Sequence, residues 1–265
     1  MNTQNDWLKK LMRAGFVANG VIYIIIGFLA VQTAVGNGGQ TTGSQGALAT
    51  IAQQPFGAFL LGLTGIGLVG LMIWYFIRGA YDPDNKGDDA QGIVRRLGYV
   101  IAGLGYGLLA YSAFRTLTTN TGGSGNRASD WTATIMEQPF GIFLVGLIGA
   151  IILGLGAYQA YKAYATKFRE KLKTHEMSST EETWSMRFGR FGLAARAVVL
   201  SIVGIFIIQA AWQANPQEAG GVSQALQELA TQPYGPILLG IVALGLAAYG
   251  IYSAAVLARY RDLSF

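Results

Sequence analysis

The sequence predicts an all-α integral membrane protein with six transmembrane helices, arranged as three tandem two-helix repeats. Hydrophobic residues make up 52% of the chain and charged residues only 12%, about half the quarter that is usual in soluble domains. No charged residue occurs between Arg13 and Arg78, and that stretch suffices for two spans because one bilayer crossing needs about 20 apolar residues. A four-residue signal, Gln-Pro-aromatic-Gly, occurs three times, at Pro55, Pro139 and Pro233.

Charge boundaries divide the chain into six spans. Predicted spans cover 14–35 and 56–77 in repeat 1, 97–117 and 140–161 in repeat 2, and 191–212 and 234–256 in repeat 3. The repeats occupy residues 1–85, 86–173 and 174–265. Each first span begins near an arginine, and 42 or 43 residues separate that arginine from the next signal proline. These repeat-start arginines are Arg13, Arg96 and Arg190.

The distribution of Lys and Arg predicts the orientation in the membrane. The three loops within the repeats hold only Arg115 and Arg127, and the other 17 of the 19 basic residues lie at the opposite side. Because basic loops stay in the cytoplasm, both termini are expected there. Two spans return the chain to its starting side, so the repeats should be related by a pseudo-threefold axis along the membrane normal. We expect one helix of each pair to line the centre of the bundle and the other to face lipid.

The first span has a basic flank, as a secretory signal does, but its apolar stretch is too long and it has equivalents in both later repeats. We therefore expect it to be retained.

Gln-Pro-aromatic-Gly is interpreted as the first turn of each second span, where the missing N–H of proline costs nothing. Short amphipathic stretches before these signals are expected to lie on the outer membrane surface. Their apolar residues are Ala47, Leu48 and Ile51, then Trp131, Ile135 and Met136, then Ala225, Leu226 and Leu229.

Three two-helix units in about 265 residues, each beginning Arg-x-Gly, resemble the bacterial membrane proteins grouped as domain of unknown function 1206. The three starts are Arg13-Ala14-Gly15, Arg96-Leu97-Gly98 and Arg190-Phe191-Gly192. The resemblance covers essentially the whole chain and implies a multi-pass protein of the bacterial cytoplasmic (inner) membrane. It implies no activity, cofactor or catalytic residue.

Several function classes are disfavoured by composition. The six predicted spans contain no Asp or Glu, the chain has no Cys, and its one histidine, His175, lies in a charged loop. Intramembrane catalysis and ion coupling usually require such residues, so we expect no enzyme activity, no catalytic residues, no metal site and no cofactor. The basic pI of about 9.4 reflects topology and is no sign of nucleic-acid binding.

Arg196 is the one charge that lies beyond the basic flank of a span, and its repeat equivalents are Asn19 and Ala102. Two interpretations stay open. Arg196 can snorkel to lipid phosphates, or it can join Asn19 in a polar pocket that binds an anionic headgroup or solute. Equivalent polar positions near the outer ends of the first helices complete the candidate set: Gln32, Arg115 and Gln209.

For function, the sequence favours a non-catalytic membrane component that binds lipids or a protein partner, with a homo-oligomer as one possible assembly. The alternative is a small-solute channel or facilitator along the pseudo-threefold axis.

Loop 162–190 is either a solvated connector or, in its first half, a basic helix on anionic lipid. Two motif matches are discounted. Gly65–Gly70 fits a dinucleotide fingerprint but lies inside a span, and the acidic run at 82–88 lacks the final Glu of a calcium loop.

Overall fold

The computed structural model describes residues 3–36, 40–81, 90–119 and 127–261, so the acidic run at 82–88 lies outside the described residues. Regular structure in the described ranges is helical, apart from one isolated bridge between Leu172 and Arg261. Six helices in these ranges are long and apolar enough to cross a membrane, which confirms the all-α prediction with six candidate spans. The helices are α1 (Thr3–Ala34), α2 (Ser44–Ala52), α3 (Gly57–Ala80), α4 (Ala90–Thr119), α5 (Arg127–Met136), α6 (Gly141–Tyr164), α7 (Ser179–Trp212), α8 (Val222–Thr231), α9 (Gly235–Ile251) and α10 (Ala258–Tyr260), with a π-helical turn at Tyr252–Leu257 between the last two.

Loop 165–178 is compact, and α6 does not continue through it as a basic helix. The loop forms two short 3-10 turns and buries Phe168 and Leu172 against the bundle. Helix α7 then begins twelve residues before the predicted boundary at 191. Its early start follows from a capping box, because the hydroxyl of Ser178 accepts a hydrogen bond from the Glu181 N–H and the Glu181 carboxylate accepts one from the Ser178 N–H, which satisfies two exposed donors.

The Gln-Pro-aromatic-Gly signal forms a turn before the second helix rather than the helix's own first turn. In the first copy, the Gly57 N–H donates to the Gln54 carbonyl over 2.8 Å, and Phe56 has a left-handed conformation with φ 61°. Phe140 and Tyr234 share that conformation. A Cβ at Gly57 would overlap the Ala52 carbonyl, so the glycine is required by the close return of the chain.

The spanning helices pack in the order α4–α3–α1–α9–α7–α6. Neighbouring repeats meet through equivalent positions. Gly250 lies against Gly20, and Gly156 lies against Ala197 and Ser201. The third equivalent contact joins Met72 to Gly103 and Gly107. These close backbone approaches use small residues, as helix interfaces in membranes commonly do.

The two helices of a repeat pack together in repeats 1 and 3. A Cβ at Gly15 would overlap Gly67 and Leu71, and one at Gly192 would overlap Tyr249, so α1 meets α3 and α7 meets α9 at equivalent glycines. Burial does not separate one lining helix from one lipid-facing helix in each pair. Instead, the helices of repeat 2 are the most exposed. Only 22% of the most apolar 18-residue stretch is buried in both α4 and α6, against 44–56% in the other four spanning helices.

Among the described residues of repeat 2, α4 and α6 do not form the corresponding extended interface. A Cβ at Gly98, the equivalent of Gly15 and Gly192, would meet nothing within 4 Å, and the same is true at Gly105 and Gly154. On these faces Ile151 and Leu155 are 39% and 40% exposed. We call the unpaired faces of α4 and α6, marked by these five residues, the repeat-2 cleft.

Two of the three short helices fold into the bundle. Ala47, Leu48 and Ile51 of α2 and Ala225 and Leu226 of α8 belong to one buried cluster with the spanning helices. Their apolar faces therefore pack against protein, whereas the sequence predicted that they lie on the membrane surface. We call the end of the bundle that carries these helices the far end, and the end with the repeat-start arginines the basic end.

Helix α5 differs from its two equivalents. It buries the polar residues Ser129 and Thr132, while Trp131 is 57% exposed. Its contacts are with α6 and the 3-10 turn Pro216–Glu218. The predicted apolar face of α5 is therefore only partly packed, since Trp131 is exposed whereas Ile135 and Met136 are half-buried.

Candidate functional site

The side chain of Arg196 turns into the bundle and lies between two aromatic rings. Its guanidinium carbon is 4.4 Å from the ring centroid of Tyr249 and 5.1 Å from that of Tyr23. These rings meet edge to face, with centroids 4.8 Å apart. Because Tyr23 is on α1 and Tyr249 on α9, Arg196 of α7 links three helices. The guanidinium therefore lies between these helices.

The Nε atom of Arg196 is buried and has no hydrogen-bond partner among the described residues. Cation–π contacts of this kind contribute about 2 kcal/mol when desolvated, but a buried charged donor without a hydrogen bond still costs free energy. Arg196 therefore has an unused donor at the centre of the bundle.

Lys162 of α6 is half-buried, and Arg196, Lys171 and Arg261 all repel its ammonium group. The guanidinium of Arg261 lies 4.4 Å from the Trp74 ring centroid and 5.2 Å from that of Phe16. No ion pair joins Arg196, Lys162 or Arg261 to an acid within the described ranges. We call these three residues the cation cluster.

Aromatic residues surround the cation cluster on the α3 and α4 side. Tyr75 and Tyr106 are stacked with centroids 5.4 Å apart, and both lie in electrostatic range of Arg196. Arg78 is 96% buried and lies over the rings of Trp74 and Tyr99. The site is thus a cationic centre with aromatic walls.

Asn19 lies next to this centre. Its side-chain amide donates a 3.2 Å hydrogen bond to Ser253 Oγ, and Ser253 Oγ donates to the Phe16 carbonyl over 2.9 Å. Tyr23 and Tyr249 lie one turn along the same two helices. Ser253 belongs to the π-helical turn, a rare backbone feature that is frequent at functional sites.

Gln159 is a residue that the sequence analysis missed. It lies 20 residues after Pro139, as Ser253 lies 20 residues after Pro233. Since Ser253 pairs with Asn19, the equivalent pair at the α6–α7 interface is Gln159 and Arg196. Its Oε1 is also buried without a hydrogen-bond partner among the described residues. Extending the repeat alignment to this position would have identified it.

The remaining candidate residues do not join Asn19 and Arg196. Gln32 lies thirteen residues after Asn19 on the same helix, which corresponds to about 20 Å along the axis. Arg115 and Gln209 are exposed. The signature residues have structural positions: Pro55, Pro139 and Pro233 lie in the turns, and Arg96 donates to the Gly79 and Ala80 carbonyls at the end of α3. Arg13 is exposed, as is Arg190.

Arg190 lies at one end of a surface groove of about 710 Å³ between α6 and α7. The groove has small residues on both helices, including Ala160, Ala163, Ala194 and Ala197. It opens outward and is separate from the cation cluster.

Beyond the cation cluster, the far half of the bundle centre is filled. Ile22, Ile26, Leu48, Leu226 and Leu246 are each at most 1% exposed and form one cluster. Chemically, the site offers cations, aromatic faces and the two side-chain amides of Asn19 and Gln159. Among the described residues no group of His, Cys, Asp or Glu can hold a metal ion.

Comparisons with known proteins agree with the repeat organisation. An uncharacterised protein of Bacillus subtilis (strain 168), YxxB, is 36% identical over 247 residues, which cover 93% of this chain and 89% of that protein. No solved structure matches the chain. The family described as Domain of Unknown Function (DUF1206) matches three times, at residues 14–82, 97–166 and 191–261. These three matches span most of the chain, which therefore belongs to the DUF1206 family.

Proposed function

We propose that the protein is a non-catalytic membrane protein that binds a phosphate-bearing anion at the cation cluster. The anion is either a lipid headgroup or a soluble phosphate compound. The observation that carries this proposal is the buried, unpartnered Nε of Arg196. An anion would supply the hydrogen bond that Nε lacks and would offset the repulsion that Lys162 experiences from Arg196 and Arg261.

A phosphate suits this site better than a carboxylate does. Its oxygens can accept from the fork of donors on Arg196 and from the ammonium of Lys162 at the same time. The tyrosine and tryptophan rings keep the guanidinium groups in place and limit the access of water, which strengthens the attraction for an anion.

The proposal includes a placement in the membrane. The basic end faces the cytoplasm of a bacterial cell, in the inner membrane, and the three repeats are related by a pseudo-threefold axis along the membrane normal. The equivalent contacts at Gly250, Gly156 and Met72 support that symmetry, and the open α4–α6 pair breaks it. The filled far half of the centre weighs against the alternative of an axial channel.

The test is retention of anionic lipid by the purified protein. The full chain is reconstituted in phosphatidylcholine vesicles that contain phosphatidylglycerol as the only anionic lipid, then extracted and analysed by native mass spectrometry. We expect wild type to retain phosphatidylglycerol selectively, and Arg196→Gln to lose that selectivity. Losing a charged hydrogen bond costs about 1.5–3 kcal/mol, which is about ten- to a hundredfold in affinity.

Arg187→Gln is the matched control, because Arg187 is also on α7 and stacked on an aromatic ring, Trp184, but is exposed. Glycerol 3-phosphate added as a competitor separates the two sources of anion. If it displaces the lipid, the headgroup is the recognised part. If it binds while phosphatidylglycerol is not retained, the ligand is soluble. Equal retention by wild type, Arg196→Gln and Lys162→Gln, with no binding of glycerol 3-phosphate, would overturn the proposal.

A further inference from the structure

The repeat-2 cleft has a cause in the sequence. In repeats 1 and 3 the helix pair closes because Gly67 meets Ala18 and Gly245 meets Ala195. The equivalent positions in repeat 2 are Ile151 and Ile101. Two branched side chains cannot occupy the space of a glycine and an alanine, so α4 and α6 are held apart. The cleft is therefore a property of the chain and not an irregularity of one loop.

The cleft walls are apolar. Ile101 and Leu155 are 47% and 40% exposed on the two walls. The same two helices also carry Tyr106 and Lys162, which interact electrostatically with Arg196. Helices α4 and α6 therefore each contribute to the surroundings of Arg196 as well as to the cleft.

We infer that one acyl chain of an anionic phospholipid occupies the repeat-2 cleft, with the phosphate of that lipid at Arg196. This inference rests on the proposed function and adds that the ligand is a lipid that reaches the cluster sideways from the bilayer. A phospholipid fits both parts of the site, since it combines an apolar chain with a negative charge.

Charge complementarity favours a lipid over a helix of a second copy. Neither α4 nor α6 contains an acidic residue, so a second copy that docked the same faces would bring no partner for Arg196 or Lys162. An apolar helix would cover the walls but leave the cation cluster unpaired. The lipid pairs the cluster and covers the walls together.

Photocrosslinking tests the inference. A photoreactive phenylalanine analogue replaces Ile151 in the cleft or, as the matched control, Leu244, which is 57% exposed on α9 and lies at nearly the same distance after its signal proline. The full chain is placed in vesicles of phosphatidylcholine with phosphatidylglycerol and irradiated. At position 151 we expect the ratio of phosphatidylglycerol to phosphatidylcholine adducts to exceed that at 244 several-fold. Arg196→Gln should remove this enrichment.

An equal ratio at the two positions, or crosslinked dimers in place of lipid adducts at 151, would overturn the inference. The proposed function fails differently. If neither phosphatidylglycerol retention nor binding of glycerol 3-phosphate depends on Arg196, the anion site itself is wrong. If both depend on Arg196 and the adduct ratios are equal, the anion site stands and the acyl chain lies outside the cleft.

Discussion

Asn19 and Ser253 join the first and the last transmembrane helix. The Asn19 amide donates a 3.2 Å hydrogen bond to Ser253 Oγ across 234 residues of chain, and both side chains are at least 97% buried. Because this bond lies one turn from the Arg196–Tyr249 contact, it holds the helices that form two sides of the cation cluster.

Removing the hydroxyl of Ser253 should destabilise the protein. Ser253→Ala leaves a buried amide donor without its acceptor, which costs about 1–3 kcal/mol in the free energy of unfolding. Denaturant titration in detergent micelles measures it. The double-mutant cycle with Asn19→Ala should give a coupling of about 0.6–1.7 kcal/mol. Strictly additive effects would show that the two side chains do not interact.

The same substitution at two equivalent glycines should have opposite effects. Gly15→Ala forces a Cβ against Gly67 and Leu71 and should cost about 1–3 kcal/mol, as overpacking does. Gly98→Ala meets open space and should be neutral or stabilising by up to about 1 kcal/mol, through helix propensity. Thermal unfolding of both variants in one detergent is the measurement. Equal losses would mean that α4 and α6 are packed together.

Restoring small residues should close the repeat-2 cleft. Ile101→Ala with Ile151→Gly recreates the Ala–Gly pair of repeats 1 and 3. Closure can be followed with Gly98→Cys and Leu155→Cys, whose equivalents Gly15 and Leu71 are in contact, because the natural chain has no cysteine. A disulfide requires Cα atoms within about 7 Å.

We expect the disulfide in the small-residue background, together with reduced phosphatidylglycerol retention, and no disulfide in the natural background. The control removes similar volume at two exposed positions outside the cleft by Leu104→Ala with Leu244→Gly, since these leucines are 55% and 57% exposed. Rapid disulfide formation in the natural background would contradict an open cleft.

The ring of Tyr249 should matter more than its hydroxyl. Tyr249→Phe keeps a face for the Arg196 guanidinium, whereas Tyr249→Leu removes a contact that contributes about 2 kcal/mol when desolvated. We therefore expect the leucine variant to unfold at lower denaturant concentration than the phenylalanine variant. An equal loss in both would assign the role of Tyr249 to its hydroxyl.

The left-handed aromatic residues should be strained. Phe56 has φ 61° and is 85% exposed, so its ring contributes little packing within the protein. Alanine at 56 removes the ring and keeps the strain, whereas glycine removes both. In detergent, the free energy of unfolding of the Phe56→Gly variant should be about 1 kcal/mol or more above that of the Phe56→Ala variant. A less stable glycine variant would contradict the strained turn.

The number and type of helices were predictable because composition and charge spacing depend only on the bilayer. The residues at which the helices begin were less predictable. The start of α7 depends on a cap between Ser178 and Glu181, and the placement of Pro55 depends on the left-handed Phe56; neither is visible in hydropathy. The short helices were predicted as helices, but their burial depends on tertiary contacts that amphipathicity does not specify.

The candidate site was predictable in part. Arg196 and Asn19 were identified because they are polar positions where the repeats differ. Gln32 and Gln209 were grouped with them by the same rule, although about 20 Å along the helix axis separates the two levels. Tyr23, Tyr106 and Gln159 were missed, since the contacts that bring them to Arg196 join different helices and are not visible in the sequence of one span. The exchange of Gly67 and Ala18 for Ile151 and Ile101 was readable in the aligned repeats.

Lipid binding at Arg196 is tested most sharply by a high-resolution structure of the protein extracted from native membrane. We expect elongated density in the cleft between Ile101 and Ile151 that ends in a headgroup at the guanidinium of Arg196. A closed α4–α6 interface, or an Arg196 whose Nε pairs with Gln159 or another protein atom and has no adjacent density, would contradict it.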